Sequence, residues 1–192
     1  LEHPLRANGV DIVGIPIIFT SDVGYTTQND INNTDTIPLH VASDLSIVGY
    51  PLGLSVNEHL PIWKNGVIAS EPDVKISGLD YFYIDATTKE GMSGSPVFSH
   101  EYTTQIIVSP EVHALYQRRQ RGELDALQFI SSIPSESLNN TIQVKKFKLI
   151  GIYSGRVTVG TSMPDIGIVW KLSLIEEMLS SKNLVKSEYP PY

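Results

Sequence analysis

The chain has 192 residues, which is enough for one domain or for two small lobes with a buried core. Its 14 lysines and arginines against 21 aspartates and glutamates give a net charge of −7, and no basic block is present, which argues against nucleic acid or an anionic membrane as a partner. The chain has no cysteine, so disulfides and thiolate metal sites are excluded, while both a reducing cytoplasm and export from a bacterium remain open.

The N-terminal third contains one patterned stretch and one polar stretch. A turn at Asn8-Gly9 leads into the apolar run 10–18, which predicts a strand. Asp11 lies at the start of this strand, and its simplest interpretation is an ordinary turn aspartate. Residues 21–35 are rich in Asn, Thr and Asp, which indicates a loop between two lobes.

Short strands fill the region up to residue 85. Residues 45–49 are an apolar run that ends in a Pro/Gly turn, and residues 81–84 are a second run. Between them, residues 62–64 and 66–69 flank Asn65-Gly66, which is a strong hairpin signal. This part of the sequence therefore predicts strands joined by turns, with a tight hairpin at Asn65-Gly66.

The β pattern is interrupted between residues 99 and 146. Within 110–130 the apolar residues recur near helical spacing with charges between them, which predicts one or two helices. Gly122 is the expected point of division. We expect this segment to be an insert into a β-rich domain.

The C-terminal part returns to strands and closes with a helix. Residues 147–153 and 166–170 are apolar, β-rich runs. Ser173 and Glu176 match a capping box, which predicts a helix over 174–181. Short strands with one helical insert and a closing helix favour a small β-barrel over an alternating βαβ sheet.

The hexapeptide Gly91-Met92-Ser93-Gly94-Ser95-Pro96 carries the clearest chemical signal. A serine between two glycines suits a hydroxyl that attacks a carbonyl, because Gly91 lets the N–H groups of Gly91 and Ser93 point at the developing oxyanion. Losing one such donor costs about 3 kcal/mol of activation free energy. The alternative interpretation is a simple Gly/Ser turn between strands. The elbow of α/β-hydrolases is disfavoured, since Ser95 stands where that motif has glycine.

Other kinds of site lack support in the sequence. No apolar run reaches the ~18 residues of a membrane span, and residues 1–5 lack the features of a signal peptide. Neither a closely spaced His/Asp/Glu cluster nor a glycine-rich phosphate loop occurs. We expect no metal, no cofactor and no membrane partner, and the oligomeric state stays open.

The motifs around Ser93 resemble those of trypsin-like serine peptidases of the chymotrypsin double-barrel superfamily. Residues 84–96 are similar to the serine loop of the bacterial high-temperature-requirement proteases and glutamyl endopeptidases. Residues 48–53 resemble the turn before their specificity region, and residues 149–155 the strand that lines their substrate cleft. Residues 166–179 resemble their last strand and C-terminal helix, so the blocks occur in family order.

This resemblance implies a mainly β, chymotrypsin-like fold whose first antiparallel barrel is only partial in this chain. Residues 1–36 would be a remnant of the first barrel and the loop between the lobes. Residues 37–183 would form a complete second barrel with the insert 99–146 and the C-terminal helix, and residues 184–192 a tail. The insert would cap the cleft, mediate oligomerisation or pack on the second barrel.

The resemblance also implies a catalytic site. Ser93 would be the nucleophile, the N–H groups of Gly91 and Ser93 would bind the oxyanion, and Asp11 would be the triad carboxylate. The implied activity is that of a serine endopeptidase, which cleaves a peptide or protein substrate through an acyl-enzyme at Ser93.

Substrate recognition is the least readable part of the resemblance. Thr87 would lie at the base of the specificity pocket, with Tyr153 and Gly155 as its wall, and Gly155 would pair with the substrate backbone as an added strand. Thr87 is neutral, so a preference for lysine or arginine lacks its usual carboxylate. Arg156 could attract an acidic side chain or point to water. A small or medium apolar residue is the expected substrate side chain.

The histidine base of the family is missing from its expected place. It should precede Asp11 within the first barrel, and His3 is too close to Asp11 to be that residue. The remaining histidines follow Asp11 and are better interpreted as surface or packing residues: His40, His59, His100 and His113. A serine hydroxyl is a weak nucleophile without a base, so we expect this chain alone to hydrolyse peptides negligibly. The competing interpretation is a non-catalytic peptide-binding module.

Overall fold

The computed structural model describes residues 5–15, 24, 27, 37–106, 109–134, 141–162 and 164–180. Its strands within these ranges are β1 Asp44–Gly49, β2 Ile62–Ile68, β3 Tyr81–Asp85, β4 Pro96–Ile106, β5 Thr141–Arg156 and β6 Ile166–Lys171. Its α-helices are α1 Pro110–Gln120, α2 Ala126–Ser132 and α3 Leu172–Ser180. The predictions of a mainly β chain, of helices between β4 and β5, and of a helix after β6 are confirmed.

The six strands form one antiparallel sheet that closes on itself in the order β1-β2-β3-β6-β5-β4. Because β4 returns to pair with β1, the strands β4-β1-β2-β3 have the spatial order of a Greek key. The predicted β-barrel is thus confirmed as a closed six-stranded ring. β3 and β4 stand on opposite sides of this ring, so the loop between them, residues 86–95, has to cross one end of the barrel.

The interior of the ring is filled by alternate residues of its strands. On β1, Leu45 and Ile47 are fully buried, and on β3 Phe82 and Ile84 are. This period of two is the pattern of strands with one face in a core. The whole buried cluster comprises Leu45, Ile47, Ile68, Phe82, Ile84, Ala86, Met92, Val97, Ile150, Tyr153 and Val169. Met92 comes from the 86–95 loop, which is therefore anchored in the core.

A second buried cluster joins the N-terminal segment to the end of the chain that the structure describes. Val10 and Ile12 pack with Trp170 of β6 and with Leu174 and Met178 of α3. Leu174 and Met178 are four residues apart, so they lie on the same face of the helix. This face and the end of β6 hold the N-terminal segment in place.

Three predictions about element boundaries are wrong. The β pattern does not stop at residue 99 and resume at residue 147, because β4 continues to Ile106 and β5 begins at Thr141. Residues 10–15 do not form a regular strand, and residues 16–18 of the predicted strand lie outside the described residues. Helix α3 begins at Leu172, so Ser173 is the second residue of the helix and not its cap. The helix starts early because β6 leads directly into it, with the Lys171 N–H bonded to the Asp80 carbonyl at 3.1 Å.

β2 is one continuous strand, so the predicted hairpin at Asn65-Gly66 is wrong. Both residues pair with β1, Asn65 with Ser46 and Gly66 with Leu45. A Cβ atom on Gly66 would lie 2.6 Å from the Asp85 carbonyl oxygen. Gly66 therefore lets β2 approach the backbone at the end of β3 closely. Close backbone approach, like a turn, is a common reason for a glycine in this kind of sequence.

Residues 102–146 form a compact unit separate from the unit of residues 1–101 and 147–192. Gly122, at φ +75°, lies between α1 and α2 as predicted. Asp125 and Gln128 form a reciprocal capping box that starts α2. The Tyr116 and Phe129 rings meet edge to face at 6.4 Å. The helices of this unit contain no buried residue within the described ranges.

Candidate active site

Two glycines shape the loop that carries Ser93. Gly91 has φ +85° and Gly94 has φ +84°, a backbone region that strongly favours glycine. A Cβ atom on Gly91 would also lie 2.6 Å from the Tyr50 carbonyl oxygen. Met92 is fully buried whereas Ser93 is exposed. The core thus fixes the loop through Met92 and leaves the Ser93 residue open to solvent.

A neighbouring loop sets the orientation of the peptide unit before Gly91. The Leu52 N–H donates a hydrogen bond to the Glu90 carbonyl at 2.7 Å. Since the C=O and N–H of a trans peptide point in opposite directions, the Gly91 N–H points away from Leu52. Among the described residues, neither this N–H nor that of Ser93 has a hydrogen-bond acceptor. Two main-chain donors next to the serine are therefore open to a ligand.

Ser154 links Ser93 to Asp11. It forms a β-bulge in β5, opposite the step from Ile168 to Val169 in β6. The Ser93 hydroxyl donates to the Ser154 carbonyl at 2.5 Å, and the Ser154 hydroxyl donates to an Asp11 carboxylate oxygen at 3.2 Å. The structure therefore brings the predicted serine and carboxylate together through a residue that the sequence analysis did not select.

The position of Asp11 follows from its two neighbours in the chain. Val10 and Ile12 are both buried in the cluster with Trp170. Asp11 itself is exposed between these two buried residues. Its carboxylate then lies within hydrogen-bonding distance of Ser154.

Asp11 and Ser93 line one cleft with a volume of about 520 Å³. This volume lies within the range of about 300–1,000 Å³ typical of small-molecule sites. Its polar lining residues are Asp11, Ser93, Ser154 and Tyr153, and the others are Ile12, Val13, Gly14, Gly94, Ile152, Ile175, Met178 and Leu179. A carboxylate and a serine hydroxyl thus line the same, largely apolar cavity.

No histidine lines this cleft among the residues that the structure describes. His40 and His59 are exposed in other parts of the barrel unit, and His113 lies on α1. His100 is on β4, where its Nε2 atom lies 3.0 Å from the Ser46 hydroxyl. His3 lies outside the described residues. Ser93 therefore has a backbone carbonyl, and no imidazole, as its hydrogen-bond acceptor.

Thr87 and Tyr153 lie in different environments. Thr87 is exposed, whereas the next residue, Thr88, is fully buried and its hydroxyl lies 2.5 Å from the Tyr153 hydroxyl. Tyr153 is only 3% exposed, and this burial raises the pKa of its phenol. The structure therefore brings Tyr153 together with Thr88 and not with Thr87. Ala86 and Thr88 are buried and their neighbours are exposed, so Thr88, and not the adjacent Thr87, faces the barrel interior.

The backbone of Gly155 faces β6. Gly155 pairs with Ile168, and the Val157 N–H donates to the Ile166 carbonyl at 2.8 Å. Alternate residues of an antiparallel strand bond to the same neighbour, so the polar backbone groups of Arg156 face the opposite edge, where they have no backbone partner among the described residues. An added strand at that edge would therefore pair with Arg156, the residue next to the Gly155 that the sequence analysis proposed.

Comparisons with known proteins do not assign a family to this chain. A scan against protein-family models finds no match, and a search of curated proteins finds no match either. Helices long and apolar enough to cross a membrane do not occur in the described ranges. Within the same ranges, no group of three or more histidines and carboxylates is arranged to hold a metal ion. The function has to be argued from the cleft itself.

Proposed function

We propose that this chain carries the nucleophilic serine of a serine endopeptidase, which cleaves peptide bonds through an acyl-enzyme at Ser93. The observation that carries the proposal is an exposed serine beside two N–H groups, those of Gly91 and Ser93, that have no acceptor among the described residues. A carbonyl carbon placed next to the Ser93 oxygen would have its own oxygen within reach of these donors. Donors fixed in advance stabilise the negative charge that develops on such an oxygen.

In the proposed reaction the Ser93 oxygen bonds to the scissile carbon, and the hydroxyl proton passes to a base. The C–N bond then breaks as the base returns this proton to the leaving amine. Water hydrolyses the resulting ester with the same base taking and returning a proton. Asp11, which accepts a hydrogen bond from Ser154 at 3.2 Å, would orient the base and stabilise its charged form.

The cleft between Asp11 and Ser93 is the place that we assign to this base. The Ser154 carbonyl, which now accepts the Ser93 hydroxyl, is not basic enough to remove its proton. An imidazole ring in the 520 Å³ cleft would have both Asp11 and Ser93 among the residues around it. Loss of the base in a comparable triad lowers turnover by about 10⁶-fold. We therefore expect negligible hydrolysis by this chain alone.

The finer description of the fold belongs to the same proposal. We assign the six-stranded ring to the second barrel of a chymotrypsin-like fold. The Greek-key order of the ring supports this assignment. The position of the serine loop between β3 and β4, and the helix that follows β6, support it as well.

Rescue by free imidazole tests the proposed function. The chain is incubated with a fluorophosphonate probe over a range of imidazole concentrations, and the modified residue is located by peptide mass spectrometry. We expect background labelling without imidazole and saturable labelling of Ser93 with it. Ser93→Ala should abolish this labelling and Asp11→Asn should reduce its imidazole-dependent rate. Ser131→Ala, which changes an exposed serine on α2, should leave the rate unchanged.

The possible outcomes separate the two candidate functions. Rapid labelling of Ser93 without imidazole would show that the chain contains its own base, and would overturn the assignment of the cleft. No labelling of Ser93 at any imidazole concentration, in a chain that still binds peptides, would favour the non-catalytic peptide-binding module. No labelling and no peptide binding would exclude both functions.

A further inference from the structure

We propose that the Tyr153 ring occupies the pocket for the substrate side chain that precedes the scissile bond, so that the site accepts glycine, alanine or serine at this position. The inference rests on the proposed function, since it assigns a class of substrate to the same serine. It concerns the space below the serine loop, and not the cleft between Asp11 and Ser93.

The location of this substrate side chain follows from the geometry around Ser93. The scissile carbon has to lie next to the Ser93 oxygen, with its carbonyl oxygen toward the N–H groups of Gly91 and Ser93. The substrate backbone preceding that carbon would pair with β5 at Arg156, whose backbone groups have no partner among the described residues. The side chain in question therefore enters between the end of β5 and the loop 86–92, at the end of the barrel that this loop covers.

Tyr153 fills the space between these two elements. Its backbone is held against the serine loop by two hydrogen bonds, from the Gly94 N–H to the Tyr153 carbonyl at 2.8 Å and from the Tyr153 N–H to the Ser95 carbonyl at 2.9 Å. Its hydroxyl reaches Thr88 on the opposite side, at 2.5 Å. The ring therefore spans the space from β5 to the loop, and Met92 packs in the same buried cluster.

A glycine on β6 makes room for this ring. A Cβ atom on Gly167 would lie 2.8 Å from Cε2 of Tyr153 and 2.9 Å from Cγ1 of Ile84. The Tyr153 ring thus occupies the space that the absent side chain of Gly167 leaves inside the barrel. A bulky substrate side chain would have to displace Tyr153 from the core, whereas glycine, alanine or serine would not.

The polar groups of this space also disfavour a charged substrate side chain. The hydroxyls of Thr88 and Tyr153 are bonded to each other, and both residues are buried. An ammonium group entering here would lose its water and meet the positive charge of Arg156, which acts on the Tyr153 phenol, while a carboxylate would lose its water beside two hydroxyls that are already bonded to each other. Small, uncharged side chains are therefore the class that the space admits.

The test compares probes that differ only in this side chain. Peptidyl diphenyl phosphonates carrying the side chain of alanine, phenylalanine, glutamate or lysine next to phosphorus react with the chain at saturating imidazole. The rate of Ser93 modification is followed by mass spectrometry. We expect the alanine probe to react at least about tenfold faster than the phenylalanine probe, since one or two misfitting groups in a pocket change rates by about 10- to 200-fold.

Two substitutions at one position sharpen this test. Tyr153→Ala opens the space and should raise the relative rate of the phenylalanine probe by at least about tenfold. Tyr153→Phe keeps the ring and removes only the hydroxyl, so it should keep the preference for alanine. If Tyr153→Ala does not unfold in a cooperative thermal transition, it is not folded, and Tyr153→Val takes its place. Valine opens a smaller space than alanine, so Tyr153→Val should raise the rate of a probe with a leucine side chain relative to the alanine probe.

The outcomes distinguish this inference from the function on which it rests. Equal or faster reaction of the phenylalanine or lysine probe with the unchanged chain would overturn the inference and leave the serine chemistry intact. A preference for the glutamate probe would overturn it as well and would point to Arg156. No modification of Ser93 by any probe would overturn the proposed function and, with it, this inference.

Discussion

The barrel and the helical unit 102–146 are stabilised by different kinds of interaction. In the barrel, alternate strand residues such as Ile47 and Phe82 are fully buried and pack on one another. In the helical unit neither described helix has a buried residue, and Leu127 is 79% exposed. Caps and neighbouring side chains support those helices instead. The difference indicates that substitutions in the barrel act through packing, whereas substitutions in the helical unit act through local structure.

Truncation of a core residue should separate the two regions most clearly. Phe82→Ala removes a fully buried ring from the barrel, and we expect it to lower the free energy of unfolding by about 3–5 kcal/mol. Leu127→Ala, in the helical unit, removes an exposed side chain and should change it by less than about 0.5 kcal/mol. Urea unfolding followed by tryptophan fluorescence measures both. Equal effects of the two substitutions would contradict the comparison.

Glycines should respond differently in the two regions as well. Gly66→Ala would place a Cβ atom 2.6 Å from a backbone oxygen, and we expect it to cost about 1–3 kcal/mol. Gly122 has open space around it but φ +75°, so Gly122→Ala should cost about 1 kcal/mol through backbone strain alone. Asparagine tolerates such a φ.

The matched control is therefore an asparagine at each position. Gly122→Asn should recover most of the stability lost in Gly122→Ala, while Gly66→Asn should be no better than Gly66→Ala. The same urea experiment compares the four variants. Recovery at Gly66 would show that backbone conformation, and not close approach, is the reason for that glycine.

Much of the fold could be predicted from local pattern, but the pairing of strands could not. The strand β3 and the division of the helices at Gly122 follow from periodicity and turn residues close together in sequence. The closure of the ring depends on distant pairs, such as Ser46 with Phe98 and Tyr81 with Trp170. The Asn65-Gly66 prediction was wrong because a glycine required for close approach has the same local signature as a turn.

The candidate site shows the same limit. Ser93 and Gly91 could be selected because neighbouring glycines mark the loop. Ser154 could not, since its position depends on a bulge in the pairing of two strands, and its partner Asp11 is 143 residues away. Thr88 could not be selected either, because which of two adjacent threonines faces the interior depends on how the loop crosses the barrel.

Removal of a helix cap should have a moderate effect, confined to the helical unit. Asp125→Ala deletes the side chain that accepts the Gln128 N–H at 2.8 Å, and we expect a loss of about 1 kcal/mol in the local stability of α2. Asp125→Ser keeps a capping oxygen and should retain most of that stability. Amide hydrogen exchange measures the effect residue by residue. If amides in the barrel strands also exchanged faster in Asp125→Ala, the effect would not be confined to the helical unit, and the prediction would be wrong.

The smallest predicted effect concerns an ion pair on the barrel and depends on pH. Asp80 accepts hydrogen bonds from Lys75 at 2.6 Å and from Lys171 at 3.4 Å, and the bond from Lys75 is the main reason why the pKa of Asp80 lies below its ordinary value near 3.8. A lowered pKa in the folded state stabilises the protein above the ordinary pKa, and this contribution is lost as the pH falls through the lowered one.

Asp80→Asn should therefore cost up to about 1 kcal/mol at pH 7 and progressively less below pH about 4. In the helical unit, Glu123→Gln removes an exposed carboxylate that pairs with Arg118 and Arg121, and it should change stability less than Asp80→Asn at every pH. Urea unfolding of both variants between pH 3 and pH 7 measures the difference, and a gap between Asp80→Asn and the unchanged chain that widens toward acid would contradict the assigned sign.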